Sequence, residues 1–296
     1  MKKVARILIA ATTLAAALAF AWTTPVNIGS NVNTSEDEVD PAITADGRTL
    51  YYSCGRAGGY GSWDIWQSVY SGGVWQTPTN LGPNINNTYA DLGPAHWVDT
   101  YPELYYYSNR PGTGGDDIWF SLYQGGSWQP AQNWPQNYGA DNNPCVIGSP
   151  KRLFFCSDRP GGYGNYDIWM STWTGSAWGT PVNLGSGVNT SGYEYAPSVT
   201  ADGTKMYFHA TRTGGLGGLD IYVATYSGGA WGNVQNLGAP VNTSSNDTGP
   251  SITPDNYRLY FYSNRSGGYG SYDIYYSDNT ATVAPTSLGR VKALFR

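Results

Sequence analysis

The chain has 296 residues, 12% of them charged, with 16 Lys and Arg against 21 Asp and Glu and a formal net charge of −5. An acidic chain repels phosphate backbones, so nucleic acid is set aside as a partner. The 39 Gly, 25 Tyr and 12 Trp suit tight turns and pleated strands, and they point to all-β structure.

Residues 1–21 read as a secretory signal peptide. Lys2, Lys3 and Arg6 form a positive stretch, Ile7 to Phe20 is apolar, and Ala19-Phe20-Ala21 supplies a small-x-small cleavage site. A membrane anchor would need about 20 apolar residues and no cleavage site. No cysteine follows the apolar run, which argues against a lipid anchor. Cleavage before Trp22 removes three basic residues and takes the net charge from −5 to −8. The mature chain has no further apolar stretch able to span a bilayer, so the expected location is secreted or periplasmic.

Residues 22–279 are built from repeats. Trp22, Trp75, Trp128, Trp178 and Trp231 recur at spacings of 53, 53, 50 and 53. A Pro-x-Asn-Leu-Gly segment follows, as in Pro78-Thr79-Asn80-Leu81-Gly82 and Pro181-Val182-Asn183-Leu184-Gly185. Next, an acidic residue stands three before a proline: Glu38 and Pro41, Asp91 and Pro94, Asp141 and Pro144, Glu194 and Pro197, Asp247 and Pro250. A turn such as Ala201-Asp202-Gly203 leads to an aromatic strand and an arginine, and a glycine-rich loop then opens on Asp-Ile-aromatic.

Each unit reads as four short strands. In the fourth copy these are Pro197 to Thr200, Lys205 to Ala210, Asp220 to Tyr226, and a strand starting near Trp231. Four-stranded units repeating about an axis make a β-propeller. The mature chain begins with a fourth-strand segment, Trp22 to Ile28, and its last repeat stops after a third strand, Asp273 to Ser277. The N-terminal strand is therefore expected to complete the last blade, closing five blades without a free sheet edge.

Asp202-Gly203-Thr204-Lys205-Met206-Tyr207-Phe208 and the run from Cys156 through Arg159-Pro160-Gly161-Gly162-Tyr163-Gly164 to Trp169 resemble the WD40-like β-propeller repeat of bacterial envelope proteins, as found in TolB. The resemblance covers Trp22 to about Ser277. It implies the propeller fold and leaves function open, because the repeat occurs in binding proteins, peptidases and lyases alike.

Three residue sets stand out. The repeat's arginine and strand-three aspartate flank one loop, so structural ion pairs are expected between Arg56 and Asp64, Arg110 and Asp117, Arg159 and Asp167, Arg212 and Asp220, and Arg265 and Asp273. The carboxylates Glu38, Asp91, Asp141, Glu194 and Asp247 precede the innermost strands. Ringing one mouth of the channel, they would be candidates for a hard cation such as Ca²⁺; the alternative is pairing with local N–H groups or the repeat's arginine. Otherwise no cofactor is implied. Tyr60, Trp63, Tyr163, Tyr166, Tyr269 and Tyr272 are loop aromatics that either bind a ligand or cover adjacent blades.

Cys145 and Cys156 fall on neighbouring strands but not opposite each other, so a bridge is not expected. His96 and His209 lie in different repeats outside any metal-ligand spacing, and no G-x-S-x-G elbow occurs. Residues 280–296 form a linker and a basic tail carrying Arg290, Lys292 and Arg296. The leading expectation is a non-catalytic binding or scaffolding propeller for a protein or an envelope polysaccharide. The alternatives are a carbohydrate-active enzyme with channel carboxylates and a self-assembling structural subunit.

Overall fold

A computed structural model describes residues 22–281; the signal-peptide segment, most of the linker and the whole basic tail lie outside the described residues. Five antiparallel sheets surround an axis in a five-bladed β-propeller. Blade one comprises Glu38–Ile43, Thr49–Cys54, Asp64–Ser71 and Thr79–Asn80, counted from the axis outward. Blade two begins with Asp91–Val98 and Pro102–Ser108, blade three with Asp141–Ile147 and Arg152–Ser157, and blade four with Glu194–Val199 and Lys205–Ala210. Blade five contains Asp247–Ile252, Arg258–Ser263 and Asp273–Asp278.

Its fourth strand comes from the other end of the chain. Val26 pairs with Tyr276 and Asn27 with Tyr275, while Trp22 bridges to Asn279. No helix among the described residues is long and apolar enough to cross a membrane.

The repeating tryptophans join the blades. Trp75 meets Tyr260 of the preceding blade edge-on at 6.3 Å, and Trp128 meets Tyr51 at 6.5 Å. Trp178 packs on Tyr105 at 6.4 Å, Trp231 on Phe154 at 6.0 Å, and Trp22 on Tyr207 at 6.0 Å. The last contact is made by the N-terminal strand, so the seam between blades four and five depends on ring closure. Edge-to-face pairs each contribute about 0.5–1.5 kcal/mol beyond their buried area.

The innermost strands start earlier than the hairpin pattern suggests. In blade four the strand opens at Glu194, not Pro197. Its ladder crosses a bulge between Tyr195 and Ser198, and equivalent irregularities occur in all five blades. Proline has no N–H to give a ladder, and a bulge accommodates it without a missing bond.

Candidate active site in the propeller channel

The repeated carboxylates point into their own blades. Glu38, Asp91, Asp141, Glu194 and Asp247 are all fully buried. Arg56 Nη2 lies 2.9 Å from Glu38 Oε1, and Arg159 Nη2 lies 2.8 Å from Asp141 Oδ1. Arg110 pairs with Asp91, Arg212 with Glu194 at 3.1 Å, and Arg265 with Asp247 at 2.5 Å. Each carboxylate also accepts a backbone N–H from the preceding turn, as Glu38 does from Thr34 at 2.7 Å. The guanidinium is held between two rings, Tyr52 and Trp66 in the case of Arg56. Among the described residues no three His, Cys, Asp or Glu side chains gather to hold a metal. The ring of carboxylates around one mouth is thus replaced by five separate ion pairs.

The expected pairs of Arg56 with Asp64 and Arg110 with Asp117 are corrected by this arrangement, as are Arg159 with Asp167, Arg212 with Asp220 and Arg265 with Asp273. The strand-three aspartates instead close the glycine-rich loops. Asp64 Oδ2 accepts the Tyr60 N–H at 2.6 Å and the Asn80 amide at 3.2 Å, and Oδ1 accepts the Gly61 N–H at 3.2 Å. Asp117, Asp167, Asp220 and Asp273 accept the corresponding loop N–H groups. A Cβ at Gly59 would lie 1.8 Å from the Asp64 carboxylate, which explains a glycine there.

Of the loop aromatics, Tyr60, Tyr163 and Tyr269 are exposed, whereas Trp63, Tyr166 and Tyr272 are half-buried. Tyr166 packs 4.8 Å from Tyr195, and Tyr272 lies 5.5 Å from Tyr262. The inner members therefore cover adjacent rings. These loops occupy the end of the channel remote from the first-to-second-strand hairpins.

Toward those hairpins the channel opens into a cavity of about 720 Å³ walled by all five innermost strands. Its floor is formed by the residues immediately before the five prolines, Asp40, Gly93, Asn143, Ala196 and Gly249. All five have left-handed backbones, with φ between 46° and 59°. Gly93 and Gly249 are required by the tyrosines beside them, since a Cβ would fall 2.6 Å from the Tyr107 ring and 2.2 Å from the Tyr262 ring. The second strands carry smaller Ser53, Cys156 and His209 in the other blades. There Ser53 Oγ, Cys156 Sγ and His209 Nδ1 accept the N–H groups of Gly93, Ala196 and Gly249 in the next blade, each at 3.1 Å. Burial lowers the His209 pKa to about 3, and its accepting Nδ1 makes it a neutral structural imidazole.

Asp40 differs from every other buried carboxylate in these repeats. It is 8% exposed, and its hydrogen-bond partner is the Asn143 amide 3.3 Å away across the axis. No lysine or arginine lines the cavity among the described residues. Burial therefore pushes the Asp40 pKa up to about 7, with the Asn143 contact opposing the rise. On the wall, His96 stacks on Tyr51 at 5.5 Å, and burial lowers its pKa to about 4, so the imidazole is neutral at neutral pH. Asp46 stands at the rim, accepting from Thr44 Oγ1 at 2.6 Å and the Arg48 N–H at 3.0 Å.

Asp40 and Asn143 were not among the residues singled out from the sequence. The available signal was the variable position between constant neighbours: the residue before each repeat proline is Asp, Gly, Asn, Ala and Gly in turn, charged only once.

No protein-family model matches the chain, and no curated protein sequence matches it. Similar solved structures include an α-L-arabinofuranosidase from Podospora anserina in complex with cellotriose, at 14% identity and a TM-score of 0.58, covering 88% of this chain and 96% of that one. An endo-arabinase from Bacteroides thetaiotaomicron aligns at 14% identity and a TM-score of 0.56, over 86% and 97%. A structure assigned to TolB from Agrobacterium tumefaciens aligns at 16% identity and a TM-score of 0.51, over 86% and 90%. At these identities the likeness establishes the five-bladed fold. The expectation of a non-catalytic binding or scaffolding propeller is nevertheless corrected, because the neighbours are mostly named as glycoside hydrolases and favour the carbohydrate-active alternative.

Proposed function

We propose that this protein is a carbohydrate-active enzyme that cleaves a glycosidic bond in the channel cavity, with Asp40 transferring the proton. The observation that carries this reading is a carboxyl without a cation at the floor of a five-walled pocket, poised near pH 7. Such a group is part-protonated at neutral pH, the condition under which a general acid works best. The cavity volume is in the range of small-molecule sites, roughly 300–1,000 Å³. Apolar walls suit the C–H faces of a sugar.

Most glycosidases face two carboxyls across the bond. Here the corresponding partner of Asp40 across the axis is Asn143, so one carboxyl serves both proton transfers. Asp40 gives its proton to the departing glycosidic oxygen, and the C–O bond breaks. Water adds to the anomeric carbon of the oxocarbenium-like centre and returns a proton to Asp40. Reading residues 1–21 as a signal peptide supports a site of action outside the cytoplasm, where polysaccharide is available.

The test is a panel of neutral and acidic oligosaccharides and aryl glycosides, assayed with the wild type and with Asp40→Asn. Turnover by the wild type and a loss of about 10²-fold or more in the variant is expected, with ligand-induced thermal shifts retained. No turnover of any glycan would overturn the proposal.

A further inference from the structure

We infer that the pocket admits only the free end of a neutral glycan chain, so that single terminal units are removed. The inference rests on the glycan-cleaving reading of the same cavity and adds which part of the chain enters it. All five innermost strands line the pocket, from the ring at Asp40 out to the hairpin positions Asp46, Val98, Gly148, Ala201 and Pro254. A cup walled on every side offers no cleft through which a chain could lie with both ends outside.

The floor is closed. Asp40 and Asn143 bridge the axis at 3.3 Å. The two glycines complete the ring tightly, since a Cβ at Gly93 would sit 3.2 Å from the Asn143 amide and one at Gly249 would sit 3.4 Å from the Asp40 carboxylate. The Tyr107 and Tyr262 rings lie against those same glycines. A glycosidic bond can therefore reach Asp40 only if the unit beyond it occupies the bottom of the cup, and that unit must be terminal.

Charge narrows the class. The ionisable side chains lining the cup are Asp40, Asp46, Tyr51, His96 and Cys145. Burial raises the Tyr51 and Cys145 pKa values, so both stay protonated and neutral at neutral pH. His96 is uncharged at neutral pH, and around Asp40 the facing groups are Asn143, Tyr107, Tyr262 and Cys156. Arg152 lies beside Gly148 at the rim, but a uronate or sulfate at the bottom of the cup would meet the Asp40 carboxylate and no lining cation, which is unfavourable in a desolvated site. Neutral sugars incur no such cost.

The experiment uses the mature chain with hexasaccharides of xylose, arabinose and glucose, each with a free or a blocked non-reducing end, together with a hexasaccharide of galacturonic acid. Product sizes are followed by chromatography, and binding to Asp40→Asn is read from tryptophan fluorescence, Trp97 being part of the pocket wall. A monosaccharide as the first product is expected. Blocking the end should weaken binding about tenfold or more, the equivalent of roughly 1.4 kcal/mol, and the uronic chain should neither bind nor react. Mid-length products from the first time point, equal binding of blocked chains, or preference for the uronic chain would each overturn the inference. End-dependent binding without turnover would sink the cleavage mechanism and leave end recognition standing. Failure of every hexasaccharide to bind would overturn both.

Discussion

Glu38 and Asp40 lie two residues apart on one strand, and both are buried. Glu38 faces into the blade, where Arg56, the Thr34 hydroxyl and the Thr34 N–H all meet its oxygens. Asp40 faces the axis, where one amide at 3.3 Å is its hydrogen-bond partner. The first arrangement recurs in all five blades with Asp or Glu in the same place. The second occurs once. A buried charge held by an arginine and several donors stabilises a blade, whereas a buried carboxyl without a cation is tolerated only against a cost. Repetition thus marks the residues that build the propeller, and the break in repetition marks the residue available for chemistry.

The strongest way to break this contrast is to remove the cation from one blade. Arg56→Met keeps an unbranched side chain between Tyr52 and Trp66 but leaves Glu38 buried without its counter-charge. Loss of about 3–5 kcal/mol is expected, read as a fall in the urea midpoint at unchanged slope. A loss below about 1 kcal/mol, the range of exposed pairs, would show that the five ion pairs are not what secures the blades.

Asp40 should respond in the opposite direction. Its carboxyl titrates at 3.8 when unperturbed and at about 7 in the fold. Below about pH 4 both folded and unfolded chains are protonated there and folding carries no penalty. Between the two values the fold retains a proton that the unfolded chain releases, so stability falls as pH rises. Above about pH 7 the full cost is present, roughly 4 kcal/mol at 1.36 kcal/mol per pH unit. Asp40→Asn removes the charge and keeps an acceptor for Asn143. The variant should melt higher than the wild type at pH 8 and nearly equal to it at pH 4. Parallel stability–pH curves for the two proteins would refute the assignment of Asp40 as the uncompensated carboxyl.

Most of the fold was legible in the sequence because each repeat states it again. The tryptophan spacing gave the number of blades, and the orphan strand at Trp22 to Ile28 gave the closure now seen in the pairing of Val26 with Tyr276. The ion-pair partners were misread because arginine and aspartate flank the same loop in sequence. The hairpin register is the better guide. Glu38 pairs opposite Cys54, two residues before Arg56, so the carboxylate on the neighbouring strand reaches the guanidinium while loop N–H groups take Asp64. Asp40 was illegible for the converse reason. A residue that occurs once cannot be found by aligning repeats, and its environment depends on Asn143, which is 103 positions away and across the axis.

The smallest expected effect comes from the ring itself. Four of its five members, Asp40, Gly93, Asn143 and Gly249, are residue types that adopt the left-handed region comparatively easily, but the fifth is Ala196 at φ 50°. Alanine there carries about 1 kcal/mol or more of backbone strain. Glycine would relieve the strain but adds roughly 0.4–1 kcal/mol of unfolded-chain entropy. The Ala196 N–H donates to Cys156 Sγ at 3.1 Å, and glycine at this position keeps that backbone donor. Ala196→Gly should therefore shift the melting temperature upward slightly, by no more than a few degrees, and leave the pH dependence set by Asp40 unchanged. Replacing Gly93 by Ala adds the same methyl at a ring position where the Tyr107 ring is 2.6 Å from the new Cβ, and it should destabilise clearly. If both substitutions were equally neutral, the floor would be looser than the ring geometry indicates, and the closed cup on which end recognition depends would lose its support.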